Sequence, residues 1–364
     1  MRVGIATVHT PGIHGGAEYL VDGLVEATHR AGHSIHKISL PFQFDPPAAA
    51  GVALGHCETV DFTSYGGGAL DALICLKFPT YVMRHPGKRV WLLHQHRPAY
   101  DLYGTAYGWR MGEAQTDALR ARIQQADRDA LGGATPVFTI AKRVSERLMS
   151  SHGIASEVLY HPPANAPEFR CDPALPYIFA PSRLETLKRQ HLLVEALSLS
   201  RGLSGMGAVF AGAGSLRPQL EALAEKLGVS ERVRFVGAVS RAEMLALYSR
   251  CAAVFFGPLD EDYGYVTLEA MLSAKPVVTC ADSGGPLEFV KDGETGFVVE
   301  PSPAAIADGF ARLLAPPRTA AELGRQGRAH YDALGVGWDP VIERLLAGVG
   351  PRRAIPAEAR GEAP

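Results

Sequence analysis

The chain has 364 residues, 47% of them hydrophobic and 20% charged, and a formal net charge of −2. That length holds two domains with cores of their own, and the composition is that of a globular protein rather than a disordered or fibrous one. A near-neutral chain has no global field for nucleic acid, and no apolar run reaches the roughly 20 residues that a membrane-spanning helix needs.

The opening RVGIATV enters a strand directly, without a charged-then-apolar leader, so the expected location is cytoplasmic, with at most peripheral membrane contact. Five cysteines (57, 75, 171, 251 and 280) form no C-x-x-C pair and read as free thiols in a reducing compartment.

Val3–Val8 reads as a strand. The turn Pro11-Gly12-Ile13-His14-Gly15-Gly16 leads into a helix over about Ala17–Ala31, closed by Gly32, and Ile35–Leu40 is the next strand. Residues 41–70, with Pro46-Pro47, Gly51 and Gly66-Gly67-Gly68, read as short elements and loops. Strands follow at Ala72–Leu76, Val90–Leu93 and Val137–Ile140, with helices over about Gly112–Leu131 and Lys142–Ser150. The proline-rich run His161-Pro162-Pro163-Ala164-Asn165-Ala166-Pro167 is a stiff connector, which sets a first domain at 1–163. The alternation then restarts. Strands are predicted at Tyr177–Pro181, Ala208–Ala211, Val233–Val236, Ala253–Phe256, Val277–Thr279 and Phe297–Val299. Helices are predicted at about Leu187–Leu199, Leu216–Leu227, Ala304–Leu314, Ala320–Tyr331 and Trp338–Val349. This gives a second domain at 164–337, a C-terminal helix at 338–350 and a disordered tail at 351–364. Short apolar strands separated by helices indicate α/β architecture with parallel, doubly wound sheets, whose ligands bind outside the carboxyl ends of the strands.

The densest chemistry lies in AVFFGPLDEDYGYVTLEAMLSAKPVV, residues 253–278. A strand ends at Gly257-Pro258, an acidic loop Asp260-Glu261-Asp262 follows, and a helix opens after Gly264 and stops at Lys275-Pro276. The helix start offers bare N–H groups to an anion, and Glu261 and Glu269 flank it. A long ligand with a negative centre and hydroxyls on either side, such as a nucleotide sugar, fits that pattern. Asp260-Glu261-Asp262 is also a D-x-D, which in another architecture binds a divalent metal. Residues 72–100 contain Lys77, Arg84, Lys88, Arg89 and Arg97 but no acidic residue, and can face an anionic acceptor, lipid headgroups or only solvent.

The spacing Glu261…Glu269 within DEDYGYVTLEAM resembles the retaining glycosyltransferases of family 4, the group 1 glycosyl transferases. Gly15-Gly16-Ala17-Glu18, PSRLETLKRQ (181–190), AGAGSLRPQL (211–220), RVRFVGAVS (232–240) and SGGPLEFVKDGETGFVV (283–299) resemble further motifs of that family, in its order. The resemblance implies the GT-B fold: two facing Rossmann-like domains with parallel sheets, an interdomain cleft and a terminal helix crossing back to the first. It implies a metal-independent retaining transfer from a UDP- or GDP-sugar to an acceptor hydroxyl on a sugar, lipid-linked sugar or small molecule, with no cofactor and no bound metal. The catalytic set would be Glu261, His94, Arg183 and Lys188. The donor site would comprise Gly15, Gly16, Arg183, Lys188, Gly212, Val236, Val239, Glu261, Tyr263, Gly264, Tyr265, Val266 and Glu269, and the acceptor side His94, His96 and Arg97. Three positions depart from the family pattern: Gly257-Pro258-Leu259-Asp260 before the first glutamate, Arg189 where glycine often follows the lysine, and Ala274 where glycine is common. A sugar-nucleotide epimerase of the same architecture and a catalytically silent nucleotide-sugar-binding protein are the alternatives.

Overall fold

The structure, a computed structural model, describes residues 1–12, 15–63, 69–133, 135–199, 203–314 and 319–350. The expected tail at 351–364 and the Gly66-Gly67-Gly68 run lie outside them. Two compact units result, one made of Met1–His161 with the segment from Gly337 onward, the other of Pro162–Val336.

The first unit holds β1 (Arg2–His9), α1 (Gly16–Arg30), β2 (Ser34–Pro41), α2 (Ala48–Thr59), β3 (Ala72–Cys75), β4 (Lys88–Leu92), α3 (Ala114–Leu131), β5 (Val137–Thr139), α4 (Lys142–His152) and β6 (Glu157–Val158). The six strands are all parallel, in the order β2-β1-β3-β4-β5-β6. Every residue of β3 is buried, as a strand covered on both faces requires. The edge strand β2 instead exposes Ser34, Lys37, Ser39 and Pro41.

The second unit holds β7 (Tyr177–Pro181), α5 (His191–Leu199), β8 (Gly207–Ala211), α6 (Arg217–Lys226), β9 (Val233–Gly237), α7 (Arg241–Arg250), β10 (Ala253–Phe255), α8 (Tyr265–Leu272), β11 (Val277–Cys280), β12 (Gly296–Val299), α9 (Pro303–Leu314) and α10 (Thr319–Ala333). Its sheet is also parallel, in the order β12-β11-β10-β7-β8-β9. One face buries Leu193, Leu197, Ile306 and Phe310 from α5 and α9 against Ile178, Phe210 and Phe255 of the strands. The last helix, α11 (Trp338–Leu346), packs on α1 of the first unit. There Gly23 leaves room for an indole: a methyl at that position would lie 2.3 Å from the Trp338 ring.

Two helices were not anticipated. In α2, apolar residues lie on all sides, so no stripe marks it, and its signal is the Pro46-Pro47 pair just ahead of the first turn. In α7 the signal is a capping box: Ser240 Oγ accepts from Glu243 N while a Glu243 oxygen accepts from Ser240 N. A third difference is the start of α5, four residues later than the periodicity suggests. Thr186–Lys188 form a 3₁₀ turn and Arg189 adopts a left-handed φ of 51°, which interrupts the helix. Four of the cysteines are buried free thiols and Cys171 is an exposed one. None of the helices in the described residues is long and apolar enough to cross a membrane.

Candidate active site

Parallel strands bring all their carboxyl ends to one edge of each sheet. In the second unit the chain builds outward from β7 through β8 to β9, then returns to place β10 on the other side of β7. The loops after β7 and β10 therefore diverge, which opens a crevice at the switch point. Those loops carry Arg183 and Lys188 on one side and Glu261 on the other.

Lys188 Nζ forms a short ion pair with a Glu261 carboxylate oxygen and lies 5.6 Å from the centre of the Phe256 ring. Only 17% of the lysine side chain and 25% of the glutamate side chain are exposed, so this pair is far less screened than a surface one. Arg183 stands more openly, with its guanidinium 2.6 Å from Glu185. Gln190 is buried beside it and donates to Ser182 Oγ and to the Arg183 carbonyl, which fixes the turn. Among the described residues, no group of three or more His, Cys, Asp or Glu side chains is arranged to hold a metal ion.

Glu261 passes straight into the helix start. Gly264 takes φ 90°, and a Cβ there would lie 2.9 Å from the Pro286 ring, so only glycine fits this entry to α8. Tyr263 is buried edge-on to Phe289 and to Tyr265, which leaves the backbone rather than the phenol for a ligand. Val266 is half-buried on the first turn. One turn on, Glu269 accepts a 2.6 Å hydrogen bond from Tyr248 Oη of α7. Burial raises the Glu269 carboxyl above its usual range, against the Tyr248 hydrogen bond and the Arg241 charge, which both lower it. The same burial, with the Glu269 charge nearby, pushes the Tyr248 and Tyr265 phenols well up. Tyr248, which holds the candidate residue Glu269, is one that sequence reasoning missed along with its helix.

Gly212 and Gly214 shape the neighbouring loop by close approach. A Cβ on Gly212 (φ 144°) would lie 2.1 Å from the Ser182 carbonyl oxygen, and one on Gly214 2.2 Å from that of Leu184. The G-x-G turn is thus laid on the backbone that carries Arg183, tied by Leu184 N to Ala213 O at 2.9 Å. Val236 and Val239, at the carboxyl end of β9, are half-buried.

In the first unit the switch point lies between β1 and β3, and Gly15 and Gly16 stand there at the start of α1. Glu18 accepts from Gly15 N at 2.9 Å and its other oxygen is 3.5 Å from Lys77 Nζ. Beyond β4, His94 is half-buried with Nδ1 2.7 Å from the Gln95 carbonyl. His96 goes inward, 3% exposed, ringed by Phe42, Phe78 and Trp109 and stacked on Phe44. Burial, helped by the His94 charge, lowers its imidazole to about 3, so it is neutral. The two histidines expected on the acceptor side thus differ, His94 half-buried and His96 set in an aromatic core. Arg97 is ion-paired with Asp101 at 2.6 Å. Tyr100, in the same segment, donates at 2.6 Å to the fully buried Asp127, which also accepts from Tyr81 at 2.8 Å. Much of the basic stretch makes internal contacts. Lys77 pairs with Glu18, Lys88 donates to the Tyr81 carbonyl, and Arg89 donates to the Lys88 and Ala347 carbonyls.

Residues 166–330 match the family model described as Glycosyl transferases group 1. The chain is 32% identical over 251 residues to the GDP-mannose-dependent alpha-(1-6)-phosphatidylinositol monomannoside mannosyltransferase of Mycolicibacterium smegmatis, covering 62% of this chain and 63% of that one. It is 32% identical over 214 residues to the D-inositol 3-phosphate glycosyltransferase of Nocardia farcinica, covering 52% and 47%. It thus spans between about half and two thirds of the length of these curated relatives. Among solved structures, sucrose-phosphate synthase from Thermosynechococcus elongatus superposes with a TM-score of 0.73 at 19% identity, covering 94% of this chain and 97% of that one. HepE from Anabaena, solved with UDP and glucose, gives 0.68 at 17%, covering 94% and 98%. Residues 166–330 thus resemble the group 1 glycosyl transferases, in a chain whose two parallel sheets have the GT-B fold.

Proposed function

We propose that the protein is a retaining glycosyltransferase that moves a sugar from a nucleotide diphosphate sugar to an acceptor hydroxyl, without a metal or cofactor. The observation that carries this reading is the Lys188–Glu261 pair at the switch point, just ahead of the helix that carries a half-buried carboxylate, Glu269. Glu269 accepts hydrogen bonds from the ribose hydroxyls. The N–H groups of Tyr265 and Val266 at the start of α8 face the diphosphate, as a helix N-terminus favours an anion. Lys188 and Arg183 stabilise the charge that gathers on the leaving diphosphate, and Glu261 orients the sugar. The bond from the anomeric carbon to the phosphate oxygen breaks as the acceptor oxygen bonds on the same face, and the acceptor proton passes to that leaving oxygen. The first unit takes the acceptor beside His94, with Arg97 near it. A donor of this class is supported by the printed name of the mycobacterial relative, which uses GDP-mannose, and by HepE, solved with UDP and glucose. The family match, to transferases, does not favour the epimerase alternative. A thermal-shift panel tests the reading: UDP, GDP or one of their sugars raises the melting temperature, because a ligand bound only by the native state stabilises it. If none does, the reading fails.

A further inference from the structure

Arg189 stands at a left-handed φ of 51°, where an L-residue costs about 1 kcal/mol or more. Glycine would take this position without that cost. What the arginine gains there is shown by its guanidinium. Nε donates to the Gly257 carbonyl at 2.9 Å and Nη2 to the Pro258 carbonyl at 2.8 Å. Both terminal nitrogens also grip the Asp282 carboxylate, at 2.8 and 2.6 Å. The side chain is 13% exposed. One group thus ties together the loops that leave β7, β10 and β11.

The backbone extends the tie toward Glu261. Asp260 N donates to Asp282 O and Glu261 N to Ser283 O, both at 2.9 Å, and Gly285 N returns to Glu261 O at 2.8 Å. Asp260 itself is left-handed, with φ 47°. Gly284 (φ 71°) packs so closely that a Cβ would lie 2.6 Å from the Glu261 carbonyl oxygen. The segment 257–261 is therefore strung along 282–285, and Arg189 fastens its near end. Lys188, the preceding residue, holds the Glu261 side chain at the far end. Tyr248 and Glu269 belong to α7 and α8 and bond to one another rather than to the clamp. The sugar-facing lip and the nucleotide-facing carboxylate are thus held by separate sets of bonds.

We propose that Arg189 and Asp282 are positioning residues that fix the Glu261 lip and so set which donor sugar is accepted, an inference that rests on the sugar-transfer reading above. A planar, forked guanidinium satisfies two carbonyls and a carboxylate at once, whereas an ammonium cannot span them. Arg189→Gly removes the clamp and relieves the left-handed backbone, so the fold survives it. Arg189→Lys keeps the charge without the fork, and Asp282→Asn weakens the carboxylate end. The measurements are the dissociation constants of UDP and GDP by calorimetry, then those of their glucose, galactose, mannose and N-acetylglucosamine derivatives, with donor hydrolysis as the turnover readout. Both Arg189 variants keep the affinity for the free nucleotide diphosphate, and Arg189→Gly keeps the melting temperature closer to wild type than Arg189→Lys, which loses the forked bonds and retains the backbone strain. They narrow the ratio between best and second-best sugar about tenfold and lower kcat by about 10²-fold, the loss typical of an ångström-scale misplacement. Asp282→Asn moves the same quantities less. Sugar ratios and kcat equal to wild type overturn the clamp, and so does a parallel loss of nucleotide affinity and melting temperature, which marks mere scaffolding. If the wild type binds no nucleotide diphosphate or derivative, the transfer reading itself is what has failed, and the clamp falls with it.

Discussion

Replacing Glu269 by glutamine separates its proposed role in nucleotide binding from its role in the fold. Glutamine has the same shape and still accepts from Tyr248 Oη, now at 2.6 Å from the carboxylate, so the packing between α7 and α8 remains. What disappears is the charge. A hydrogen bond to a charged group contributes about 1.5–3 kcal/mol against about 1 for a neutral one, so on the proposed function two ribose hydroxyls donating to this site lose about 1–4 kcal/mol together. That corresponds to about 5- to 10³-fold weaker binding of UDP or GDP in a calorimetric titration. The fold responds in the opposite sense. Burial raises the native carboxyl above its ordinary value, so the native state binds the proton more tightly than the unfolded chain. Stability is then lost as pH rises from that ordinary value through the raised one, and the glutamine variant lacks this loss. Nucleotide affinity follows ionisation: in the wild type it falls as pH drops through the raised value, and in the variant it stays flat. Equal affinities at neutral pH, with parallel pH profiles, would refute the assignment of Glu269 to the nucleotide.

Three further outcomes test the structure elsewhere. Ala274 ends α8 at a left-handed φ of 49°, and Ala274→Gly should stabilise the protein by about 1 kcal/mol in chemical denaturation, whereas no gain would mean the strain is absent. Asp127 has its carboxyl raised to about 6 by burial, against hydrogen bonds from Tyr100 and Tyr81 that lower it. Wild-type stability should therefore fall by up to about 3 kcal/mol as pH rises from its ordinary carboxylate value to about 6, and Asp127→Asn should flatten that slope; an unchanged slope would exclude Asp127 as its source. Trp338 covers Gly23 and meets Trp91 edge-on at 6.2 Å, so Trp338→Ala should cost about 2–3 kcal/mol for a half-buried indole. A loss below the roughly 0.5 kcal/mol of ordinary surface changes would show that α11 is not fastened there.

Legibility followed the range of the forces involved. Buried parallel strands such as β3, β7 and β10 are short apolar runs closed by turn residues, so their local pattern and their environment agree. Helix α2 has no polar face to give it a period, and α7 buries only Tyr248 and Ser249, so neither carries a strong stripe. Both departures from the family's glycines, Arg189 and Ala274, sit at positive φ, which explains in backbone terms why glycine is usual there.

The sequence by itself determined the α/β class, the alternation that makes two doubly wound sheets, and the glycine, cation and carboxylate spacing that resembles the group 1 glycosyl transferases. These depend on periodicity and on residue type at fixed spacing, which act over a few residues. Tertiary structure decided which of those groups meet. It placed Lys188 on Glu261 across 73 positions, set Tyr248 beneath Glu269, turned His96 into an aromatic core, and drew Arg189 onto Gly257, Pro258 and Asp282. The Lys188 and Arg189 contacts follow from the strand order, because only when β10 returns beside β7 do loops distant in the chain share one edge of the sheet.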